Sequence, residues 1–586
     1  MPQEENTVPP PAEPAAPPTP QPDQKPKDPT RLDRIRGWYT VHKKLSIPLT
    51  VLVLVLVLAA IPFTRYAAAG AVIKKDFSVK VLDDATGTPV SGVTVTAGNT
   101  TADTDSAGIA VLKHIKVGGK KLLITKKYYK DGTLKITVPI MGQKDTPAIR
   151  LTATGRQVKV SVVNGINRNP LKDVDISVAG TTAKTDANGQ ALIVLPAGTP
   201  EQKAKLSLEG FNDAQVSIKV SSEGIQANPF SLTPSGKVYF LSKLSGQIDV
   251  VKTNLDGTSR QTVLAGTGKE DDRNTVLLAS RDWKYLALLS RRAGSTPSLY
   301  LMSTADDSLS VIDEGSYDFT LAGWVGDNFV YTASQTNYQP WKSGQDALKS
   351  YNAPSKKLKV LDQTAATGTS TQDYVGQHIG DVYAYNGQVY YIMNWSSSFD
   401  DANMALLAAK QATFNSINPD GTGKKAIRSF GLSAGEQSAD ISVDEQIEGP
   451  GSVELHFTNG DRDEFYSFAN GQVKSDPSMD VQSYYEKTYP AYLLSPSGSN
   501  TFWAEERDGK NTLFVGDEDG QNPKQIATLS DYSSYGWYTD KYLLVSKDGS
   551  ELYIMAKDGS QPPVKISDYH KPSFNFQGYG GGYGGL

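Results

Sequence analysis

Cysteine is absent from all 586 residues of the chain. This absence excludes thiol catalysis, cysteine-ligated zinc and iron–sulfur clusters. Any folded part outside a reducing compartment must then be held together by core packing, because disulfides cannot form. Eukaryotic secreted proteins commonly carry disulfides, so a bacterial surface protein fits this composition better.

An excess of charge of one sign is also missing. The chain has 59 Lys and Arg against 63 Asp and Glu, which gives a net charge of −4. A general nucleic-acid-binding protein would carry a basic excess, so we expect no nucleic-acid partner. Long helical patterns are scarce outside one segment. Gly, Thr, Ser, Val and Tyr are plentiful, and this composition is typical of strands and turns.

Three contrasting compositions follow one another at the start of the chain. Residues 1–30 are rich in Pro, Ala and Gln and predict a disordered cytoplasmic tail. Residues 31–44 are basic, and an uncharged apolar run over 45–63 would extend roughly 28 Å as a helix. Because the basic residues come first, the positive-inside rule places the N-terminus in the cytoplasm. We predict one transmembrane helix over 45–66, with the lipid bilayer as its partner.

Two alternatives to this anchor are a buried core helix and a cleaved signal peptide. Residues 67–69 match an A-x-A cleavage pattern. The polar stretch before the apolar run, however, is far longer than the N-terminal polar region of an ordinary signal peptide. In either membrane interpretation the rest of the chain is extracellular or periplasmic.

A tandem repeat follows, with an offset of 81 residues between its two copies. Short alternating strands and turn motifs in each copy predict two Ig-like β-sandwich modules over 76–153 and 156–233. The matched residues are Pro89 with Pro170, Val93 with Val174, Asp105 with Asp186, and Gly108 with Gly189.

The repeated pattern V-x-D…G-x-P-V-x-G-V-x-V…T-D-x-x-G-x-A resembles the carboxypeptidase regulatory-like domain, which is related to PEGA and collagen-binding B-type surface modules. The resemblance implies stalks or spacers that sometimes bind carbohydrate or protein. We interpret Asp105 and Asp186 as turn residues, with metal ligation as the alternative.

Residues 236–570 repeat a different unit, in which a strand, an Asp-Gly turn and an aliphatic residue follow one another. Weaker copies bring the hairpins to seven, about 40–65 residues apart, and this period is typical of propeller blades. The clear turns contain Asp256, Asp420, Asp519 and Asp558.

The segment S-P-S-G…W-A…L-F-V-G-D-E-D-G-Q-N-P-K-Q-I resembles the repeat of TolB-type and WD-like bacterial propellers. We therefore predict a C-terminal β-propeller of about seven blades, with six or eight as alternatives. Residues 571–586 predict a flexible Gly/Tyr-rich tail. The fold class is mainly β: an N-terminal transmembrane helix, two tandem sandwiches and a propeller.

Insertions over 335–353, 363–378 and 396–412 interrupt the blades. Loops on one face of a propeller commonly form a binding surface, and aromatic residues are favoured contacts. Local packing beneath the insertions is the alternative role for these aromatics. The candidate binding-face residues are Tyr338, Trp341, Tyr374, His378, Trp395 and Phe399.

Signals for catalysis are weak. A G-x-S-x-G match over 431–435 lacks the α/β context that a nucleophile elbow needs, and the five histidines show no ligand spacing. We predict no catalytic residue, no cofactor and no metal site, with weak Ca²⁺ binding at acidic turns left open.

The predicted function is that of a membrane-anchored bacterial cell-surface binding or adhesion protein. Two sandwiches would form a stalk that presents the propeller to a surface protein or glycan. The alternatives are an envelope-assembly or secretion scaffold, and a propeller hydrolase or lyase with carboxylates in its central channel. Fold alone does not decide between them.

Overall fold

The structure is a computed structural model. Most of the tail predicted over 1–30, the A-x-A motif at 67–69 and most of the tail predicted over 571–586 lie outside the residues that it describes. The described residues are 30–60, 73–221, 225–431, 440–460, 462–487, 489–529 and 531–571.

Two helices form the N-terminal part, α1 (Arg31–Val41) and α2 (Lys43–Ala60). Their axes differ by 112°, and the Tyr39 hydroxyl donates a hydrogen bond to Thr50 Oγ1 across the bend at 2.7 Å. No single helix within the described ranges is long and apolar enough to cross a membrane, whereas the bent pair passes that test by length and composition. The structure therefore differs from the single helix predicted over 45–66.

Seven strands and one apolar core make up the first sandwich. Its sheets have the strand orders β4-β1-β7 and β3-β2-β5-β6, and both contribute alternate residues to the core. The strands are β1 (Lys74–Asp83), β2 (Thr94–Ala97), β3 (Thr100–Asp103), β4 (Ile109–Lys116), β5 (Gly118–Thr125), β6 (Gly132–Val138) and β7 (Ala148–Leu151).

The second sandwich has the same strand order, shifted by seven strands. Its sheets are β11-β8-β14 and β10-β9-β12-β13, again around a single core. The strands are β8 (Arg156–Asn164), β9 (Asp175–Val178), β10 (Thr181–Lys184), β11 (Gln190–Leu195), β12 (Glu201–Ser207), β13 (Ala214–Lys219) and β14 (Gln226–Leu232).

Equivalent turns in the two sandwiches explain the repeated T-D-x-x-G sequence. Asp105 Oδ1 accepts hydrogen bonds from the backbone N–H groups of Ala107 and Ile109, both at 2.9 Å, and Asp186 makes the equivalent pair. Gly108 follows with a φ of 72°, and a Cβ there would lie 2.6 Å from the carbonyl oxygen of Val81. Asp105 and Asp186 are therefore occupied as turn residues.

A buried lysine joins the two sandwiches. Lys126 Nζ donates to the carbonyl oxygens of Ser91 and Gly92 at 2.7 and 3.1 Å, and across the junction to that of Thr182 at 2.7 Å. Desolvation by burial lowers the Lys126 pKa to about 8, against the opposing effect of Asp103. This contact couples the orientations of the two modules.

Seven antiparallel meanders follow in chain order, and we number them I to VII. The pairing of β28 with β31 joins meanders IV and V into one nine-stranded sheet. Meanders I to III contain β15 (Val238–Ser242), β16 (Asp249–Thr253), β17 (Gln261–Leu264); β18 (Val276–Ala279), β19 (Tyr285–Ser290), β20 (Ser298–Ser303), β21 (Leu309–Asp313); and β22 (Tyr317–Val325), β23 (Asn328–Gln335), β24 (Asp346–Asn352), β25 (Lys357–Gln363).

Two short helices, α3 and α4, accompany the later meanders. Meander IV contains β26 (Ala366–Ser370), β27 (Asp373–Tyr385), β28 (Gln388–Ser397), α3 (Asp401–Ala408), β29 (Gln411–Ile417) and β30 (Lys425–Gly431). Meander V contains β31 (Asp440–Gly449), β32 (Ser452–Asn459), β33 (Arg462–Ala469) and β34 (Gln472–Ser475), and is followed by α4 (Val481–Glu486). Meanders VI and VII contain β35 (Leu493–Leu494), β36 (Asn500–Arg507), β37 (Lys510–Asp517), β38 (Lys524–Thr528); and β39 (Tyr532–Thr539), β40 (Tyr542–Lys547), β41 (Glu551–Ala556), β42 (Val564–Asp568).

The first and last meanders share one apolar core. Residues of meanders I, II and VII pack into a single buried cluster. Trp283 Nε1 donates to the Trp537 carbonyl oxygen at 3.0 Å, and the His570 backbone N–H donates to Leu241 O at 2.8 Å. The end of the chain therefore returns to the start of this region, and the mainly β architecture predicted from the sequence is confirmed.

Because neighbouring strands of each meander run in opposite directions, the loops of the meanders lie at two opposite ends of the strands. The Asp-Gly turns lie at one end, and the second sandwich contacts this end: Asn164 Nδ2 donates to the Tyr542 hydroxyl at 2.8 Å, and Thr233 Oγ1 donates to Asp256 at 2.6 Å. We call this end the sandwich face. The loop that enters the last hairpin of each meander, and the loops that join one meander to the next, lie at the opposite end, which we call the loop face.

Candidate functional site

The longest connections of the meanders all lie on the loop face. They are 265–275 between β17 and β18, 336–345 between β23 and β24, 398–410 with helix α3, and 476–492 with helix α4. The insertions expected over 335–353 and 363–378 are partly strand, because β24 lies in the first and β26 and the start of β27 lie in the second. The loop face therefore carries the additional structure, whereas turns on the sandwich face are short.

Four of the predicted binding residues lie around the beginning of β27. The Tyr338 hydroxyl donates to the Gln377 carbonyl oxygen at 3.2 Å, and Tyr338 remains 41% exposed. Trp341 lies half-buried in the same loop. The Tyr374 carbonyl oxygen accepts a hydrogen bond from the Ser398 backbone N–H at 3.0 Å, next to Phe399, which is 83% exposed.

Trp395 has a locally packed position. Its indole N–H donates to the Gln411 carbonyl oxygen at 3.1 Å, and Lys410 Nζ lies 4.8 Å from the ring centroid. The backbone of Trp395 pairs with Gln377 in β27 and with Ile441 in β31. These contacts indicate that Trp395 packs locally. Phe399, in contrast, is the most exposed of the candidate aromatics.

His378 lies among carboxylates. Desolvation by burial lowers the pKa of its imidazole, while the charges of Asp346, Asp440 and Asp444 oppose that shift. Burial raises the pKa of the Asp346 carboxyl, which hydrogen bonds from Ser334 and from the Ile379 backbone partly offset. The structure therefore places the one candidate histidine beside a buried carboxyl group and near β31.

Sequence reasoning missed an acidic group at the meeting of β27 and β31. Asp381 and Asp444 are exposed, and Glu445 is largely covered. Burial, followed by the charges of Asp381 and Asp444, holds the pKa of Glu445 well above its ordinary value. Asp381 still reaches solvent, but partial desolvation by its neighbours, followed by the Asp444 charge, raises its pKa as well. The signal in the sequence was the D-E-Q-I-E stretch of β31.

Two buried oxygen atoms near this group have no hydrogen-bond partner. One is Glu445 Oε1, and the other is the hydroxyl of Tyr383. Tyr383 is only 1% exposed, and burial raises its pKa together with the charges of Tyr390 and Glu445. Buried polar atoms normally find a partner, so leaving these two atoms unpaired costs free energy. We call Asp381, Tyr383, Asp444 and Glu445 the acidic site.

Helix α4 connects the acidic site to a buried histidine. The Tyr485 hydroxyl donates to Asp444 Oδ2 at 3.0 Å and lies 3.3 Å from His456 Nδ1. His456 Nε2 lies 2.7 Å from Asp463 Oδ1, and the imidazole stacks on Phe465. This chain of hydrogen bonds fixes the orientation of the Asp444 carboxylate.

Metal ligation has no geometric support in the part of the chain that the structure describes. No three His, Asp or Glu side chains there could hold one metal ion. The acidic turn with Asp517 and Asp519 bonds instead to Asn522 and to the Gln521 backbone. The G-x-S-x-G match over 431–435 lies outside the described residues except for Gly431.

Comparisons with known proteins reveal no family for this chain. No protein-family model matches it, and no curated protein matches it. Among solved structures it is similar to TolB from Acinetobacter baumannii, with 10% identity, a TM-score of 0.22, and coverage of 54% of this chain and 74% of TolB.

Two further structures have similar values. Pyrococcus horikoshii acylaminoacyl peptidase has 13% identity and a TM-score of 0.30, with coverage of 57% of this chain and 51% of the peptidase. A putative 6-phosphogluconolactonase from Bacteroides fragilis has 13% identity and a TM-score of 0.29, with coverage of 57% and 95%. TolB and other propeller-like proteins are thus among the structures it resembles at low identity. TM-scores this low carry no argument about function.

Proposed function

We propose that this protein recognises a surface protein or glycan through the loop face of a seven-bladed β-propeller. The observation that carries the proposal is the division of its loops. All the long connections of the meanders, both short helices and the exposed aromatics Tyr338 and Phe399 lie on the face opposite the sandwiches. A module held at one face leaves the other free to meet a partner.

The propeller assignment rests on the order of the sheets along the chain and on the contacts between neighbouring sheets. Seven antiparallel meanders succeed one another along the chain, and strands of neighbouring meanders lie against each other, as β22 does with β27 and β27 with β31. Meanders I and VII share one apolar core, so the last meander packs against the first. Ring closure of this kind protects the edges of the sheets.

We also propose that the apolar segment over 45–66 attaches the chain to a cell membrane, with the N-terminus in the cytoplasm. The side chains of α2 from Leu45 to Val57 support this, because the large apolar ones are all about half exposed or more. Such an uncovered apolar helix needs an apolar environment. The two sandwiches would then act as a stalk, with Lys126 stiffening their junction.

Site-specific photo-crosslinking tests the recognition face. A photo-reactive amino acid is placed in the full chain at Phe399 on the loop face, or at Lys357 as a control. Lys357 is also exposed and begins β25 at the sandwich face. Each variant is presented to intact cells or envelope vesicles of the source organism.

We expect a discrete cross-linked adduct from position 399 and none from position 357. Adducts of equal yield at both positions, or adducts only at 357, would contradict recognition through the loop face.

A further inference from the structure

We propose that one end of the first sandwich docks on anionic phospholipid headgroups of the membrane that holds the chain. This end contains the start of β1, the β4–β5 connection and the β6–β7 connection, and we call it the basic end. The inference rests on the membrane attachment proposed above and names the class of lipid that the stalk contacts.

Positive charge is concentrated in the first sandwich. Residues 73–153 contain 13 Lys and Arg against 7 Asp and Glu, whereas residues 154–234 of the second sandwich contain 8 against 7. The two modules share one strand order, so the fold itself does not require this excess. The exposed lysines of the basic end are Lys74, Lys75, Lys116, Lys121, Lys135 and Lys144.

Two pairs of these lysines lie directly opposite each other on neighbouring strands. Lys74 of β1 pairs with Lys116 of β4 in one sheet, and Lys121 of β5 pairs with Lys135 of β6 in the other. Side chains at opposite positions of an antiparallel pair share one face of the sheet, and like charges there are destabilising. The sandwich therefore gives up stability to keep these four charges.

The second sandwich shows that such repulsion is avoidable. Lys203 of β12 occupies the position equivalent to Lys121 and lies opposite Ser217. The second sandwich also pairs three of its lysines with carboxylates. No Lys or Arg of residues 73–153 forms an ion pair with a carboxylate that the structure describes. The charge of the first sandwich is thus available to an anionic partner.

An exposed apolar side chain at the same end favours a membrane over a soluble polyanion. Met141, in the β6–β7 connection, is 89% exposed, more than any other large apolar side chain in the described part of the chain. Its loop is held on both sides. Ile140 packs against the sandwich core, and the Gln143 amide makes two hydrogen bonds of 2.7 Å with the Ser78 backbone. Apolar side chains that enter the headgroup region beside basic residues are typical of membrane interfaces.

The place of the basic end in the chain also favours the membrane. Lys74 follows the proposed membrane segment over 45–66 by 8 residues. An extended chain spans about 3.5 Å per residue, so Lys74 lies within roughly 28 Å of the end of that segment. The opposite end of the first sandwich is already occupied, because Lys126 and Tyr128 bond to the second sandwich there.

Docking at the basic end orients the stalk away from the bilayer. The propeller region, residues 236–570, contains 29 Lys and Arg against 43 Asp and Glu, so an anionic surface repels it. Attraction at the base and repulsion at the head act in the same sense. Together they keep the loop face clear of the membrane.

Fluorescence of the full chain in vesicles tests the proposal. Gly142→Cys supplies the chain's one cysteine beside Met141, and it is labelled with an environment-sensitive fluorophore. The protein is inserted into preformed vesicles of phosphatidylcholine alone or of equimolar phosphatidylcholine and phosphatidylglycerol. Flotation measures insertion, and headgroup-nitroxide lipids quench a probe at the surface. We expect a blue shift and quenching only in the anionic vesicles.

A matched label reports on the second sandwich. Gly198 is exposed in the β11–β12 connection, and a Cβ at Gly198, as at Gly142, meets no atom within 4 Å. The probe at Gly198→Cys should remain in water in both kinds of vesicle.

Charge variants of the protein labelled at position 142 separate docking from folding. Lys74→Gln with Lys116→Gln, and Lys121→Gln with Lys135→Gln, should each lower the ratio of docked to undocked protein by about tenfold. Resistance to urea should stay equal or rise in both, because each removes a repulsive pair.

Two further variants complete the test. Met141→Gln should weaken the quenching without changing the charge. Lys159→Gln with Lys203→Gln removes two exposed charges from the second sandwich and should leave the quenching unchanged.

Three outcomes would overturn the proposal. They are equal quenching at 142 in neutral and anionic vesicles, unchanged quenching in both lysine double variants of the basic end, and a blue shift with soluble polyglycerol phosphate but none with anionic vesicles. The last outcome would assign the basic end to a wall polymer. Insertion without quenching would remove only the docking, whereas failure to insert in either vesicle would remove the proposed anchor as well.

Discussion

At the residue scale, glycine determines the geometry of both sandwich turns. Gly108 and Gly189 have φ values of 72° and 70°, and a Cβ at either would lie 2.6 or 2.5 Å from a backbone carbonyl oxygen. We expect Gly108→Ala or Gly189→Ala to lower the free energy of unfolding by about 2 kcal/mol each, measured by urea denaturation. Gly142→Ala is the control, because a Cβ there meets no atom within 4 Å. Equal stability of all three variants would refute this account of the turn.

Lys126 makes the stability of the sandwich pair dependent on pH. Its pKa falls from 10.5 to about 8 on folding. Between pH 8 and 10.5 the unfolded chain binds more protons at this lysine than the folded chain does. The free energy of unfolding therefore rises with pH over this window, and Lys126 is least favourable to folding below pH 8. We expect the free energy of unfolding of the wild type, relative to that of Lys126→Met, to rise by roughly 3 kcal/mol from pH 8 to 10.5. A pH-independent difference in thermal melting would show that Lys126 titrates normally.

The sequence predicted some residue roles and not others. The turn role of Asp105 followed from a local motif, and local chemistry determines such a turn. The site at Glu445 depends on the approach of β27 to β31, two strands of different meanders. The D-E-Q-I-E stretch of β31 shows the acidic charge in the sequence, but no local pattern shows that approach. The packing of Trp395 against Lys410 was one of the two roles left open for the aromatics.

At the element scale, helix α4 depends on one cap. Asp480 Oδ1 accepts a hydrogen bond from the Ser483 backbone N–H at 2.7 Å, and the helix has only six residues. We expect Asp480→Ala to cost about 1 kcal/mol locally. Hydrogen exchange should accelerate over 481–486 and at the strand that carries His456, with meander I unchanged as the internal reference. Unchanged exchange in α4 would mean that packing alone holds the helix.

Elements with a repeated pattern were predictable, and solitary ones were not. The tandem sandwich strands show alternation, which the structure reproduces as alternating burial in β1 and β8. Helices α3 and α4 are short and occur once, so periodicity could not identify them. The bend near His42 arises from contacts between α1 and α2, among them Ser46 Oγ donating to the Tyr39 carbonyl oxygen, whereas composition alone suggested one straight helix.

At the scale of the whole molecule, the proposed propeller requires meanders I and VII to meet. The guanidinium of Arg260 hydrogen-bonds Ser567, 307 residues further along the chain. The chain has no cysteine, so Arg260→Cys with Ser567→Cys gives a unique pair. We expect a short bis-maleimide to join the pair within one chain and to change its mobility in denaturing gels. Arg260→Cys with Lys357→Cys is the control. Equal reaction of both pairs would contradict closure at this seam.

Opposite faces for attachment and recognition are the central claim, and selective blocking tests it most directly. Single cysteines replace Phe399 or Lys357 in the full chain, and each is modified with a bulky polyethylene-glycol maleimide. Binding of the labelled protein to envelope vesicles of the source organism is then measured. We predict that modification at 399 abolishes binding while modification at 357 leaves it unchanged. Retained binding after modification at 399, or loss only at 357, would contradict the account.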